Sequence, residues 1–421
     1  MVSIEFIREN PEKVQQSAID KLIDVDIKKL LEVDARMRTN LVKIEALRKE
    51  RNDISKDNCI PNEEKGVKVR AIKAELSVLE EQYDADKKVF DAIISTVPSV
   101  PVDGVPVGKN EDDNIEVRRV GEIPKFDFEV KDHFALMQDL DMVDTKNAIK
   151  FAGSRAYLLK GDVALLEMAV IRYATDKLVQ KGFTPYCVPV MVKQEAMYGT
   201  GYFPLGYDQT YKINEDGLYL VGTSEVSLVS VNKDEIIDPK DFPIRMAGVS
   251  TCFRREAGSA GRDVYGLYRV HQFQKVEQVV LCKADDNEML KLHEEILNNA
   301  EEILQDFGLP YRVVLSCTGE LGIGQVKKYD IETWMPSRGN YCETHSASAF
   351  RDFQARRSNI RYRDEDGKLK FAYTLNNTAI ASPRILIPLL EMYQQADGSI
   401  AIPEVLQPYM NGRKFIGKKE N

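Results

Sequence analysis

Six cysteines are spread through 421 residues, at 59, 187, 252, 282, 317 and 342, and no two form a CxxC pair. That spacing excludes a zinc knuckle and fits reduced thiols in a cytoplasmic protein better than a disulfide framework. Four histidines are too few for a His-rich metal centre. No apolar run nears the roughly 18 residues that a membrane span requires, so no membrane partner is expected. The N-terminus, MVSIEFIRENPEKVQQ, lacks the apolar core of a secretory signal. Neither GxGxxG nor GxxxxGK[ST] occurs, which removes the two common phosphate-binding turns. A Ser–His–Asp or Cys–His arrangement for covalent catalysis is also missing.

What is present is a soluble, charge-rich chain. Charged residues make up 30% and hydrophobic residues 43%, with a net charge of −9. That charge disfavours a protein that coats nucleic acid over its whole surface, but it leaves room for a local basic patch. The length suggests two or three domains at roughly 100–200 residues each.

Residues 26–97 have a texture of their own. They are rich in Lys, Arg, Glu, Asp, Leu and Ala, with no aromatic before Tyr83. Val69, Ile72, Leu76, Leu79, Tyr83, Asp86, Phe90 and Ile93 recur at alternating spacings of 3 and 4, apolar except for Asp86. This is a heptad seam. Leu30, Val33, Met37, Leu41, Ile44, Leu47 and Ile54 form a looser stripe upstream. Asn58-Cys59-Ile60-Pro61-Asn62 separates the two and gives a helix start near Asn62. The pattern predicts an antiparallel coiled-coil hairpin, roughly 45 Å long at 1.5 Å per residue. By pattern alone it fits a dimerisation zipper as well as an arm that grips a partner.

The Pro- and Gly-dense run from Val97 to Gly108 reads as a linker. The expected division is therefore an arm with linker at 1–108 and a second domain at 109–421. The second domain alternates short strands with helices at 160–182, 287–307 and 384–395, which predicts an α+β fold on an antiparallel sheet. YCVPVMV (186–192) reads as a strand broken by Pro189.

Two segments carry candidate chemistry. Residues 253–278 read as strand, glycine-rich loop and strand: FRREAGSAGRD, then RVHQFQKVEQ. Strand alternation would send Arg254 and Glu256 to one face. Two guanidinium groups beside such a loop suit a polyphosphate, and Phe273 could stack a base. The second segment is FAYTLNNTAIASPRILIPLLEMYQQ (371–395). It places Arg384 at a helix start, against the dipole, so the arginine needs an anion: a phosphate or a nearby Glu.

FRREAGSAGRDVYGLYRVHQFQKVEQ resembles motif 2 of the seryl-tRNA synthetases, a class II aminoacyl-tRNA synthetase family with a helical N-terminal arm. TLNNTAIASPRILIPLLEMYQ resembles their motif 3, and ETWMPSRGNYCETHSASAFRDFQARRSNIRYR the block between. Gly222-Thr223-Ser224-Glu225-Val226 is similar to their serine-binding strand, and residues 160–192 to the dimer-forming motif 1. The resemblance runs in order from residue 1 to about 410.

The resemblance implies an ATP-dependent serine–tRNA ligase, a homodimer using ATP, Mg²⁺, L-serine and tRNA(Ser). It implies catalytic roles for Arg254 and Arg384. The implied ATP set is Arg254, Arg255, Glu256, Val270, Phe273, Glu343, Thr344, His345, Ser346 and Arg384, with Glu343 and Ser346 toward the metal. The implied serine set is Thr223, Ser224, Glu225, Arg254, Glu277 and Thr378. Arg36, Arg38, Lys43, Arg48 and Arg51 on the arm, and Arg262 in the motif 2 loop, are implied tRNA contacts. Asn377, Pro383, His345, Ala347 and Ser224 depart from commoner family residues and leave room for altered amino-acid choice. Two other functions compete: a ligase acting on a carrier protein, and a catalytically dead scaffold. The heptads argue against the first and the retained Arg254, Glu256, Phe273, Glu343 and Arg384 against the second.

Overall fold

A computed structural model describes residues 1–57, 59–258 and 265–417. The heptad residues form two long helices, α1 (Ile27–Lys56) and α2 (Asn62–Ile94). Asp26 caps α1, its carboxylate accepting the Lys29 N–H at 2.9 Å, and Pro61 precedes the first turn of α2. Ile44, Ile72 and Leu76 are buried between the helices with Leu47, Ile54, Leu79 and Tyr83 against them. The polar seam residue Asp86 takes a two-pronged bond from Arg36, at 2.7 and 3.2 Å. Arg48 reaches Glu80 at 2.7 Å further along, so the pairs run in opposite directions and the hairpin is antiparallel. Two short helices (Ile4–Glu9 and Pro11–Asp20) bring Ile7, Val14 and Ala18 against Ile27, Leu30, Ile94 and Val97 at its base. This first unit spans Met1–Val100.

The second unit, Pro101–Asn421, starts eight residues before the expected boundary. Main-chain bonds explain the difference. Val102 N–H donates to Val326 O at 2.9 Å, and Pro106 O accepts from Thr318 N–H at 2.9 Å. The Pro/Gly run is thus an edge of this unit rather than a free spacer.

The unit is built on an eight-stranded sheet. Its strands are β1 (Ile115–Val120), β2 (Thr184–Cys187), β3 (Ile244–Phe253), β4 (Gln272–Cys282), β5 (Tyr311–Leu315), β6 (Lys327–Met335), β7 (Asn340–Ala349) and β8 (Tyr373–Ser382). They lie in the order β1-β5-β6-β7-β8-β4-β3-β2. All neighbours are antiparallel except β2 and β3. YCVPVMV does not stay one strand. It splits between β2 and a strand at Met191–Lys193 in a different sheet, with Pro189 between them.

Strand alternation sorts the side chains. Val276 and Val280 of β4, Ala347 of β7 and Leu375 of β8 join the core with Leu292 and Ile296 of α6 (Asp286–Asp306) and Leu166 and Val170 of α4 (Asp162–Gln180). On the other face, Val279 and Leu281 meet Leu228 of α5 (Glu225–Ser230) and Ala355 of α7 (Phe353–Ser358). Two further helices are α3 (His133–Asp139) and α8 (Leu386–Tyr393). Among the described residues no helix is long and apolar enough to cross a membrane.

Candidate active site

The uncovered part of that second face carries two cavities. The first is walled by Arg254, Glu256, Val270, Phe273, Glu343, Ser346 and Arg384 among others. The second is walled by Tyr202, Glu225, Glu277, Phe350, Asn376 and Thr378 among others. Arg254, Lys275, Ser346 and Thr378 line both. Two ligands held in these cavities would therefore meet at these four side chains.

In the first cavity the cations stand on aromatic rings. The Arg254 guanidinium carbon lies 5.2 Å from the Phe273 ring centroid, and that of Arg384 lies 4.4 Å from Tyr268. Arg384 donates to Glu343 O at 3.2 Å and lies 3.6 Å from its carboxylate. The sequence left a phosphate or a glutamate as its partner, and the glutamate is there. Arg384 precedes α8, which begins at Leu386. Partial desolvation works to raise the Glu343 pKa, although its side chain is 48% exposed, but the charges of Arg384, Lys328, Arg254 and Arg269 outweigh it and hold this carboxyl below its ordinary value. Glu343 is therefore an anion at neutral pH.

The expected reason for Arg254 and Glu256 sharing a cleft needs correction. β3 ends at Phe253, so neither residue belongs to a strand. The chain turns instead, and Glu256 adopts a left-handed conformation at φ 50°. Its carboxylate accepts from Arg269 at 3.1 Å. Arg255 is exposed and does not line either cavity.

Glu343 and Ser346 are three apart, which in a regular strand would send them to opposite faces. A bulge in the β6–β7 pairing corrects the parity: Glu332 opposes Glu343, but Ile331 opposes His345 and Asp330 opposes Ser346. The same shift turns His345 inward. It is 1% exposed, its Nδ1 is 2.8 Å from Thr344 Oγ1, and burial pulls its pKa down to about 4. Thr344 bonds Thr333 at 2.7 Å behind the cavity wall. Among the described residues no group of three or more His, Cys, Asp and Glu is arranged to hold a metal ion.

The second cavity is dominated by buried carboxylates. Glu225 is 4% exposed and Glu277 2%. Gln354 Nε2 donates to Glu225 Oε1 at 2.7 Å, and its orientation is fixed because its Oε1 accepts from Thr374 at 2.6 Å. Burial first, then the Glu277 charge, pushes the Glu225 pKa up to about 7, while Gln354, Lys275 and Asn376 pull it down. Thr378 Oγ1 donates to Glu277 Oε2 at 3.2 Å, and Lys275 Nζ lies 2.5 Å from the same oxygen.

Residues 222–226 are not the expected strand. They turn from a strand at Leu218–Leu220 into α5. Thr223 Oγ1 accepts the Glu225 N–H at 3.2 Å and Ser224 Oγ donates to Gly248 O at 3.1 Å. Both side chains therefore position Glu225 from behind. Gly248 is required there, since a Cβ would lie 2.5 Å from Ser224 Oγ. Asn377 is 0% exposed on the core side of β8, with neither amide atom bonded; Pro383 lines the first cavity. Sequence reasoning missed Lys275, Gln354, Tyr202 and Asn376 as site residues, although Lys275 and Gln354 lie in segments that carry the family resemblance.

On the arm, Arg36, Arg38 and Arg48 are ion-paired with Asp86, Asp34 and Glu80, and Lys43 is exposed. Arg262 lies outside the described residues.

Residues 1–101 match the family described as "Seryl-tRNA synthetase N-terminal domain", and residues 209–393 the "tRNA synthetase class II core domain (G, H, P, S and T)". A serine–tRNA ligase of Deinococcus radiodurans is 47% identical, over 99% of both chains. The chain belongs to the seryl-tRNA synthetase family. A relative from Treponema denticola is 42% identical over 97% of this chain and 98% of its own. The solved seryl-tRNA synthetase of Pyrococcus horikoshii, complexed with ATP, is 39% identical with a TM-score of 0.91, covering 100% of both chains. A Naegleria fowleri serine–tRNA ligase in complex with AMP is 32% identical with a TM-score of 0.88, covering 99% of this chain and 97% of that one. Membership of this family fits an α+β catalytic unit accompanied by a helical arm.

Proposed function

We propose that the chain is an ATP-dependent ligase that activates L-serine as seryl-adenylate and transfers it to the 3′-terminal adenosine of tRNA(Ser). The observation that carries this reading is the joining of an arginine-lined, aromatic-walled cavity to a carboxylate-lined one through Arg254, Lys275, Ser346 and Thr378. ATP occupies the first. Phe273 stacks adenine, Glu256 accepts from its amino group, Val270 lines the wall, and Arg384 meets the distal phosphates. Serine occupies the second, its ammonium on Glu225 and Glu277 and its hydroxyl toward Thr378. A buried hydroxyl partner disfavours alanine, which would leave it unpaired.

The serine carboxylate is ionised at neutral pH and attacks the α-phosphorus. A carboxylate O–P bond forms and the bond to the bridging oxygen of pyrophosphate breaks. No protein nucleophile is needed, so catalysis is alignment plus charge stabilisation, with Arg254 at the joint holding the α-phosphate. A hydroxyl of the terminal adenosine then attacks the seryl carbonyl and AMP leaves.

Mg²⁺ fits this site as a companion of ATP. Glu343 would supply one ionised hard oxygen donor and Ser346 a hydroxyl to such an ion, whose charge would offset that of the phosphates. The lack of a ready-made acid cluster among the described residues accords with that mode.

The arm meets tRNA through Lys43, Arg51 and the outer faces of the paired arginines, recognising backbone and shape. A homodimer is supported by the exposed apolar side chains of Met168 (67%) on the motif 1 helix α4 and of Phe151 (74%) on the helix before it. ATP–pyrophosphate exchange with each of the twenty amino acids tests the reading. Exchange with serine is expected; exchange with a different amino acid alone overturns the serine assignment.

A further inference from the structure

β4 sends Phe273, Lys275 and Glu277 to one face in succession, so Lys275 stands between the base-stacking end of the site and its carboxylate end. Its side chain is 6% exposed. A buried ammonium is expensive unless it is paired, and here it is paired on one atom. Lys275 Nζ lies 2.5 Å from Glu277 Oε2, and Thr378 Oγ1 donates to that same oxygen at 3.2 Å. Both contacts fall on Oε2, and Glu277 lines the second cavity. Glu277 is therefore fixed by one oxygen and open to a ligand at the other.

The charges around the pocket give this arrangement a purpose. Glu225 faces Glu277 and Lys275 from β4, Gln354 from α7, Asn376 from β8 and Tyr202 from the preceding loop, and Arg254 lines the same cavity. Arg254 is exposed at the phosphate side, over Phe273. Deeper in, the buried charges are two carboxylates and one ammonium. Two buried carboxylates alone would repel, and one would hold its proton well above neutral pH; the Lys275 charge is among the groups that keep Glu225 down to about 7. A protonated carboxyl cannot pair with a substrate ammonium.

We propose that Lys275 is a positioning residue of the amino-acid pocket, holding Glu277 by one oxygen and leaving the pocket a single net negative charge that matches one substrate ammonium. Its role rests on the serine-activating reading of this cavity. A compact ammonium suits the task, since a guanidinium would compete for both oxygens of Glu277.

Pyrophosphate exchange between pH 6 and 9 tests it. Wild-type exchange with serine is measured first, and its absence would overturn the functional reading itself. Lys275→Met should raise the serine KM about tenfold or more at pH 7 and leave the ATP KM within about threefold. Without the lysine charge Glu225 rises further, so the serine KM should climb with falling pH from a higher pH, by about one unit. Lys275→Met/Glu277→Gln restores the single negative charge. Its pH profile should return toward wild type while the serine KM stays high. Lys275→Arg, which keeps the charge, should hold the wild-type profile and carries the test where the Met variant does not fold. A wild-type serine KM and pH profile in folded Lys275→Met, or a shifted profile in folded Lys275→Arg, overturns the role while leaving serine activation intact.

Discussion

The buried carboxylate of Glu391 in α8 offers a demanding test of how the nucleotide cavity is held. It is 0% exposed and accepts four hydrogen bonds. Oε1 takes the His133 N–H at 3.0 Å, His133 Nδ1–H at 2.8 Å and the Ser337 hydroxyl at 2.8 Å, and Oε2 takes the Ser337 N–H at 2.9 Å. With Nδ1 protonated, His133 Nε2 is free to accept the Leu267 N–H at 3.2 Å. Gly266 is needed beside it, because a Cβ there would collide with the imidazole. Glu391 thus fixes a tautomer, and the tautomer fixes the start of Leu267–Val270, which walls the first cavity. In Glu391→Gln the amide oxygen fits best at the crowded Oε1 position, and the NH₂ group then faces the Ser337 N–H. One buried donor left unpaired costs about 1–3 kcal/mol, and three remaining bonds lose their charge assistance, so the loss should be on the order of 3–5 kcal/mol. At roughly 2–4 °C per kcal/mol for a large domain, the melting temperature of the second unit should fall by about 6–20 °C. Thermal unfolding followed by circular dichroism reads the first effect. Pyrophosphate exchange at saturating serine reads the second, an ATP KM raised severalfold. A variant that melts within 2 °C or so of wild type with an unchanged ATP KM would refute the reasoning, because four buried bonds cannot be that slack.

Two more outcomes follow from the amino-acid pocket. Glu225 is held protonated to about pH 7 by burial; its folded pKa is raised, so it binds a proton the unfolded chain has already lost. Its contribution to stability is full below the ordinary carboxyl range and disappears as pH rises through about 7. Glu225→Gln should therefore melt higher than wild type at pH 8, by a margin that shrinks at pH 5, while losing serine-dependent exchange; a variant that melts lower at pH 8 contradicts this. Gly248→Ala forces a methyl against Ser224 Oγ at 2.5 Å and Leu228 Cδ1 at 2.9 Å. Overpacking of that kind costs about 1–3 kcal/mol, and it should raise the serine KM by displacing the turn that carries Glu225, with a wild-type serine KM as the refuting result.

The sequence disclosed most where a pattern repeats. The alternating 3 and 4 spacing from Val69 to Ile93 predicted α2 and its antiparallel partner, and the one polar seam position, Asp86, found its explanation only across the hairpin at Arg36. Site residues were legible where the family resemblance is dense, but not how they reach the site. Arg254 and Glu256 converge through a left-handed turn rather than strand alternation, and Glu343 and Ser346 through a bulge. A bulge leaves no periodic mark, because it is one residue of shift in a pairing that depends on the partner strand. The boundary between the units fell at Val100 for a similar reason: a Pro/Gly run signals irregular backbone, and only the partners of its N–H and C=O groups decide which body it belongs to.

Asn377 shows how linear adjacency misleads. It neighbours Thr378, so it invites a role in amino-acid choice. Strand parity instead puts it opposite Gln278 on the core side of the sheet, while Asn376 and Thr378 line the pocket. Any influence of Asn377 on selectivity must pass through the strand. The same parity argument raises Lys275, which no motif reading singled out. At i+2 from Phe273 and i−2 from Glu277 it must share their face, and a buried lysine between a stacking ring and a carboxylate has to be answering a charge. Parity, burial and the count of charges on one face carry more information about this pocket than the motif string that first drew attention to it.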